Sequence, residues 1–302
     1  MPAGALGLGF VGDRIHAMRV AQAGARWHVT HVATEQLSFM PFRAAPQASD
    51  AAALTHALRR IATAIPQGHW PLQITLPDPV GVFDVLAFEA VPTSARERAA
   101  LARFRLEKDW PVVAHRDCIT QDMGKAGDRS LLLAVSIDRA WRDLLCTACR
   151  GVGWVPTVVD LNINYVFNRF HDRFARRHHD GVLIIIESDY WAVLLFDNTP
   201  RPRFFRTRWR EPLSNPASDH GVIVMEVERL VRAYVLAEPG RKIEEMYLYA
   251  DDTERSAFAA QLNARLSAPA QQLDSSEGFL LAAGMTMDSL VPGLFAAGIP
   301  RR

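Results

Sequence analysis

The chain has 302 residues, 49% of them hydrophobic and 22% charged, with a net charge of +1. That composition is globular and gives one large domain or two ordinary ones, with a core that needs no staple. It offers no global field toward nucleic acid, no run of the roughly 18 apolar residues that a membrane span needs, and no basic leader before an apolar core. Three cysteines, an odd count, fit a reducing compartment better than a disulfide framework and point to the cytoplasm.

Residues 6–10, 14–21 and 27–37 are extended in pattern and separated by turn residues at Gly12–Asp13 and at Gly24, which predicts a three-stranded meander. A Pro- and Ala-rich connector, 41–49, leads to a helix over 51–65 capped by Asp50, with Leu54, Leu58 and Ile61 on one face. Residues 72–76 form a strand, Pro77–Asp78–Pro79 end it, and 80–89 is extended again. Thr93 or Ser94 caps a charged helix that runs to about Lys108 and closes at Trp110–Pro111.

Two strands near 116–123 and 130–136 follow, then a helix over 138–150 with Trp141, Leu144, Leu145 and Ala148 in one stripe, ended by Gly151 and Gly153. A strand at 156–160 and a helix at 161–177 complete the first half. The second half opens on the apolar run Val-Leu-Ile-Ile-Ile from Val182, broken at Ser188–Asp189, resumed over 190–196, and returned over 203–210. Then come a helix at 222–236, a strand at 244–249, a helix at 252–266, a strand at 270–273 and a helical stretch over 278–287. Two meanders of matching layout, each opening one half, suggest an internal duplication. The mixed order gives an α/β architecture in two lobes, 1–180 and 181–302, with 89–154 as a small insertion in the first.

The successions LPDPVGVFDVLAFEAVP at 76–92, ERAALARFRLEKDWPV at 97–112 and LLLAVSIDRAWRDLLCTACRGVGWVPTVVD at 131–160 resemble type IV pilus assembly proteins of the PilM group. MSHA-type pilus biogenesis proteins and the cytoplasmic part of the type II secretion protein GspL share that architecture. The resemblance implies an actin-like (ASKHA/ribonuclease-H-like) two-lobed fold with a small inserted subdomain. It also implies a non-catalytic cytoplasmic scaffold at the inner face of the inner membrane. Such a scaffold recruits the cytoplasmic tail of a bitopic, single-span pilus protein, and in relatives the tail lies in a groove between the main lobe and the insertion. The residues that bracket that connection here are Phe83, Val85, Phe88, Phe104, Leu106 and Trp110. They either pack the hinge or leave an apolar groove, beside which a partner strand adds along 82–86. Self-association is compatible with this picture.

Actin-like proteins hold nucleotide phosphates at the hairpins of the two meanders, usually with Asp-x-Gly, because Gly lets several N–H groups converge on the anion. The matching spots are Gly7 and Gly9 in the first meander and Glu187, Ser188 and Asp189 in the second. The first lacks the acid and the second lacks Gly, and two carboxylates repel a polyphosphate unless Mg²⁺ sits between them. At the adenosine end, Tyr249–Ala250–Asp251–Asp252 stands where a Gly-Gly run is usual. The expectation is lost nucleotide binding, with no cofactor, no metal site and no catalytic residue. The alternative is a divergent Mg-dependent ATPase, or a metal-dependent hydrolase, using Glu187 and Asp189; the plain reading of both is turn residues in water.

Cys146 and Cys149 form a C-x-x-C, but at the C-terminal end of a helix the dipole opposes thiolate formation, so they read as structural. His115 and Cys118, three apart on a strand, point to opposite faces. Arg206, Arg208 and Arg210 alternate along the last strand of the second meander as a basic strip. The strip is either a solvated face or a surface for acidic lipid or an acidic partner segment, and no aromatic–basic pattern suggests nucleic acid.

Overall fold

The computed structural model describes residues 4–281 except Ala25, Gln67, His69, 111–115, 211–215, Pro239, Asp251, Ser275, Ser276 and Gly278. The chain begins β1 (Gly4–Val11), β2 (Arg14–Ala23), β3 (Arg26–Gln36), α1 (Ala48–Ala64), β4 (Leu72–Leu76) and β5 (Gly81–Phe88). It continues α2 (Ala95–Asp109), β6 (Arg116–Ala126), β7 (Arg129–Asp138), α3 (Arg139–Arg150), β8 (Pro156–Leu161) and α4 (Asn162–Ala175). The rest is β9 (Asp180–Ile186), β10 (Tyr190–Phe196), β11 (Pro202–Trp209), α5 (Pro216–Ala237), β12 (Ile243–Ala250), α6 (Asp252–Arg265), β13 (Ala270–Gln272) and β14 (Phe279–Leu281).

Both meanders form as the turn residues demand. Val11 pairs with Arg14 across the two-residue turn Gly12–Asp13, and Gly12 takes φ +57°, the left-handed value that such hairpin turns need. One sheet has the strand order β14-β3-β2-β1-β4-β8 and the other β11-β10-β9-β12-β13. Setting β14 aside, each is an antiparallel meander whose first strand continues into two parallel strands. The duplication read from the sequence is therefore a duplication of sheet topology. Every residue of β9 and β10 is buried, as expected of interior strands covered on both faces.

The chain divides into two compact units: Met1–Pro77, Ala140–Arg169 and Asp274–Arg302 in one, Asp78–Arg139 and Phe170–Leu273 in the other. In the first, Ala5, Met18, Val20, Val29 and Phe279 form a core cluster, and α1 buries Leu54, Ala57, Leu58 and Ile61. Trp141 of α3 donates from Nε1 to the Ala44 carbonyl at 2.8 Å and packs its ring 4.8 Å from that of Phe42. In the second unit, the apolar stripes of α5 and α6 cover one face of β9, β10 and β12. Phe174 packs between Phe196 and Tyr247, with ring centroids 4.9 and 4.7 Å away. The same unit holds a separate three-stranded sheet, β5-β7-β6, closed by α2 over Leu86, Ala102, Leu106, Cys118 and Ala134.

The segmentation differs from the sequence expectation in three places. The inserted sheet begins with β5 and ends with β7, so the insertion spans 78–139 rather than 89–154, and α3 belongs with the first unit from Ala140 onward. The stretch expected to be helical from residue 278 instead gives β14, parallel to β3 with Phe279 beside Trp27; the remainder of that expectation, 282–287, lies outside the described residues. A short apolar run carries no period that separates strand from helix, and the open edge of β3 decides the outcome. The chain thus returns to its first sheet, and 181–302 is not one continuous lobe. Locally, Gln47 rather than Asp50 caps α1; the Asp50 carboxylate accepts from the Gln47 N–H at 2.8 Å, one turn in.

On β2, His16 sits buried with Nδ1 2.9 Å from the Thr34 hydroxyl, and burial, then the nearby Arg14, lower its pKa to about 4. A histidine whose pKa falls on folding stays neutral inside while the unfolded chain takes up the proton near pH 6.5. This contribution is therefore complete above pH 6.5 and is lost as the pH drops toward 4, at about 1.4 kcal/mol per unit. Urea denaturation at pH 7 and pH 5 should show a smaller pH loss in His16→Gln than in the native chain; equal losses would contradict a buried neutral His16.

Candidate functional site

The two turns that the resemblance marks for phosphate have different fates. Gly7 and Gly9 lie inside β1, not at its turn. Gly7 is paired with Met18 on one side and Gln73 on the other, and Gly9 with His16 and Thr75. A strand laddered on both sides has its N–H and C=O groups engaged in the sheet. The assignment of Gly7 and Gly9 to a phosphate turn is therefore corrected: both are strand residues, and the turn is Gly12–Asp13, where the sequence pattern placed it, beginning three residues after Gly9. There the Asp13 carbonyl accepts from the Leu37 N–H at 2.7 Å, and the Asp13 carboxylate accepts from Gln36 Nε2 at 2.9 Å.

Glu187, Ser188 and Asp189 do form the β9–β10 turn, where the Glu187 N–H donates to the Tyr190 carbonyl at 2.9 Å. Glu187 is buried rather than solvated. Against this turn lies Arg210. Its Nη1 donates to the Glu187 carbonyl at 2.8 Å, its backbone N–H donates to the Asp189 carbonyl at 2.8 Å, and its Nε donates to the Asp219 carboxylate at 2.6 Å. The Arg210 and Asp219 side chains are only 6% and 14% exposed. A guanidinium held this way is matched by a carboxylate and by backbone oxygens, so the turn carries its own fixed cation. Among the described residues no group of three or more His, Cys, Asp or Glu side chains is placed to hold a metal ion. At the end of β12, the Ala250 carbonyl takes two hydrogen bonds from Arg255, at 3.1 and 2.8 Å, and the next residue, Asp251, lies outside the described residues.

The basic strip does not form as one surface. Arg206 and Arg208 stand in β11 opposite Val193 and Trp191, but Arg208 pairs with Glu226 of α5 at 3.1 Å. Arg210 has left the strand and turned inward. Two of the three cations are matched by carboxylates of one helix.

The six residues expected to line a partner groove are also split, because strand alternation sends neighbours to opposite faces. Phe83 is buried with its ring 4.7 Å from that of Phe205, and Val85, on the same face of β5, borders a cavity. Phe88 and Leu106 pack on the other face, in the core beneath α2. Phe104 and Trp110 are 69% and 44% exposed. No single groove gathers them. The C-x-x-C pair lies in the last turns of α3, where burial pushes both thiols up, Cys149 to about 12, which is the opposite of a reactive pair. His115 lies outside the described residues.

No protein-family model and no curated protein matches the chain. Solved structures do. The structure of a PilM-PilN type IV pilus biogenesis complex superposes with a TM-score of 0.71 at 14% identity, covering 92% of this chain and 90% of that one. The cytoplasmic domain of EpsL, an inner membrane component of the type II secretion system of Vibrio cholerae, gives 0.51 at 12% identity, covering 97% and 93%. A Bacteroides thetaiotaomicron protein of unknown function with an actin-like ATPase fold gives 0.56 at 8% identity, covering 90% and 91%. At such identities the likeness establishes the fold, and with the duplicated sheet topology it shows this chain to be an actin-like α/β protein of the PilM and EpsL architecture.

Proposed function

We propose that the chain is a non-catalytic scaffold in the assembly platform of a type IV pilus or a related secretion system. In this reading it works at the inner face of the inner membrane, recruits the cytoplasmic tail of a single-span partner of the PilN type, and needs no nucleotide. The fold shared with a PilM-PilN complex over nine-tenths of each chain supports the setting. Among the described residues no helix is long and apolar enough to cross a membrane. The observation that carries nucleotide independence is Arg210, buried against the Glu187–Asp189 turn and tied to Asp219. A phosphate arriving there would have to displace an internal ion pair whose separation leaves a buried charge unpartnered. A Mg-dependent ATPase remains the rival reading, favoured by the two acids of the turn and disfavoured by the cation already seated on it.

Two experiments test this. The chain, freed of nucleotide, should co-purify with the tail of its PilN-type partner to the same extent with and without Mg·ATP; recovery that requires Mg·ATP would overturn the reading. If Arg210 fixes the turn, Arg210→Met should lower stability in urea by about 3 kcal/mol, because Asp219 is left without its cation. Arg210→Met combined with Asp219→Leu should recover part of that loss, and a single variant within about 0.5 kcal/mol of the native chain would contradict the role given to Arg210.

A further inference from the structure

A surface helix needs one apolar stripe, the one that faces the core. α5 has that stripe: Ile223, Val224, Val227, Leu230 and Tyr234 belong to the core over β9, β10 and β12. It also has a second. Val222, Met225, Arg229, Arg232 and Leu236 are spaced alternately three and four residues apart, so they form one line along the outer face. Val222, Met225 and Leu236 are 53, 51 and 81% exposed. Three of the nine large apolar side chains left exposed among the described residues therefore stand on this one line. Such residues scattered singly need no explanation, but a line with this spacing is the seam that one helix offers another. It runs for about 21 Å, or roughly four turns.

The middle of the line is charged. Arg229 reaches Glu226 at 3.7 Å, and Arg232 reaches Glu228. Both carboxylates are shared. Glu226 also takes Arg208 of β11 at 3.1 Å, and Glu228 also takes Arg265 of α6 at 3.5 Å. The two acids are recessed, whereas all four arginine side chains are at least half exposed. Four guanidiniums on two carboxylates leave an excess of two positive charges, held at the surface midway along the line.

We propose that this outer line of α5 docks one helix of a partner protein, with aliphatic residues at both ends of its seam and two carboxylates in the middle. Val222 and Met225 meet one apolar end and Leu236 the other. The partner's carboxylates complete the pairing of guanidiniums that now share one acid between two. The charges argue against two other occupants. A two-fold pairing of α5 with a second copy of the chain, parallel or antiparallel, sets Arg229 against Arg229, with the nearby acids already shared. A lipid surface is disfavoured because the cations lie within the apolar line and not on its flanks, so the line cannot enter lipid without them. This inference goes beyond the scaffold reading: it assigns a second docking surface, and it stands whether or not a single-span tail is recruited.

The test uses the full chain and fluorescent, hydrocarbon-stapled helical peptides of about four turns, read by anisotropy. The peptides carry Leu at the outer seam positions and either Glu or Lys at the two middle ones. The Glu peptide should bind at least about tenfold tighter than the Lys peptide, and its affinity should fall as salt rises. Arg229→Glu combined with Arg232→Glu should reverse that order. Met225→Asp and Leu236→Asp should each weaken the Glu peptide about fivefold or more, while Phe104→Asp, on another element, should leave it unchanged. Melting curves establish that the variants fold, and either Asp variant on α5 suffices if the other does not. Equal affinity for the two peptides, no binding of either, or an unreversed order in the charge-swapped chain would overturn the proposal. So would dimerisation in sedimentation, or retention on phosphatidylglycerol vesicles, if Leu236→Asp abolishes it; the first result assigns the line to a second copy and the second to lipid. None of these outcomes bears on co-purification with the PilN-type tail, which tests the scaffold reading separately.

Discussion

Each of the two main sheets is built on a strand paired on both sides, β1 in one and β9 in the other. Such a strand has its backbone groups engaged in ladders and its side chains engaged in cores. Everything it can offer a ligand is therefore pushed to its turn. In the first sheet the turn is Gly12–Asp13, tied back to the end of β3. In the second it is Glu187–Asp189, with the Arg210 guanidinium set against it. The same constraint that makes the fold stable thus narrows what these two strands can offer a ligand to two short turns, and at one of them a cation of the chain itself is already in place.

The insertion follows the same logic at smaller scale. Its three strands alternate, so one face closes over α2 and the other looks toward α5 and β11. The aromatic and aliphatic residues around it are consequently divided among a core, a cavity wall and an outer surface. A ring contact between Phe83 and Phe205 and a hydrogen bond from Arg201 to the Met123 carbonyl join this sheet to β11 and to the turn before it. The inserted sheet is thus held against β11 at more than one point.

Much of this was legible in the sequence. Gly12, Gly24, Ser188 and Asp189 punctuate the two meanders, and the run from Val182 to Ile186 reads as a buried strand because it is apolar without a break. The repeat of the meander predicts the repeat of the sheet. The remainder depended on three-dimensional pairing. Residues 279–281 are too few to show a period, and the edge of β3 makes them a strand. Gly7 and Gly9 match a phosphate motif by residue type alone; the extended pattern of 6–10 already places them in the strand before the Gly12–Asp13 turn. Arg210 continues the alternation of Arg206 and Arg208, so it reads as one more strand cation. Pro212 close behind it was the available signal that the strand ends before Arg210, but its partner Asp219, nine residues on, is visible only once α5 is placed.

The central claim is that the actin-like fold of this chain carries a buried arginine–aspartate pair of its own at the turn after β9, which we propose leaves it independent of nucleotide. Calorimetric titration of Mg·ATP into the full chain addresses it most directly. The account predicts heats no larger than dilution up to millimolar ligand. A saturable, Mg²⁺-dependent isotherm with a Kd of about 1 mM or tighter would contradict it.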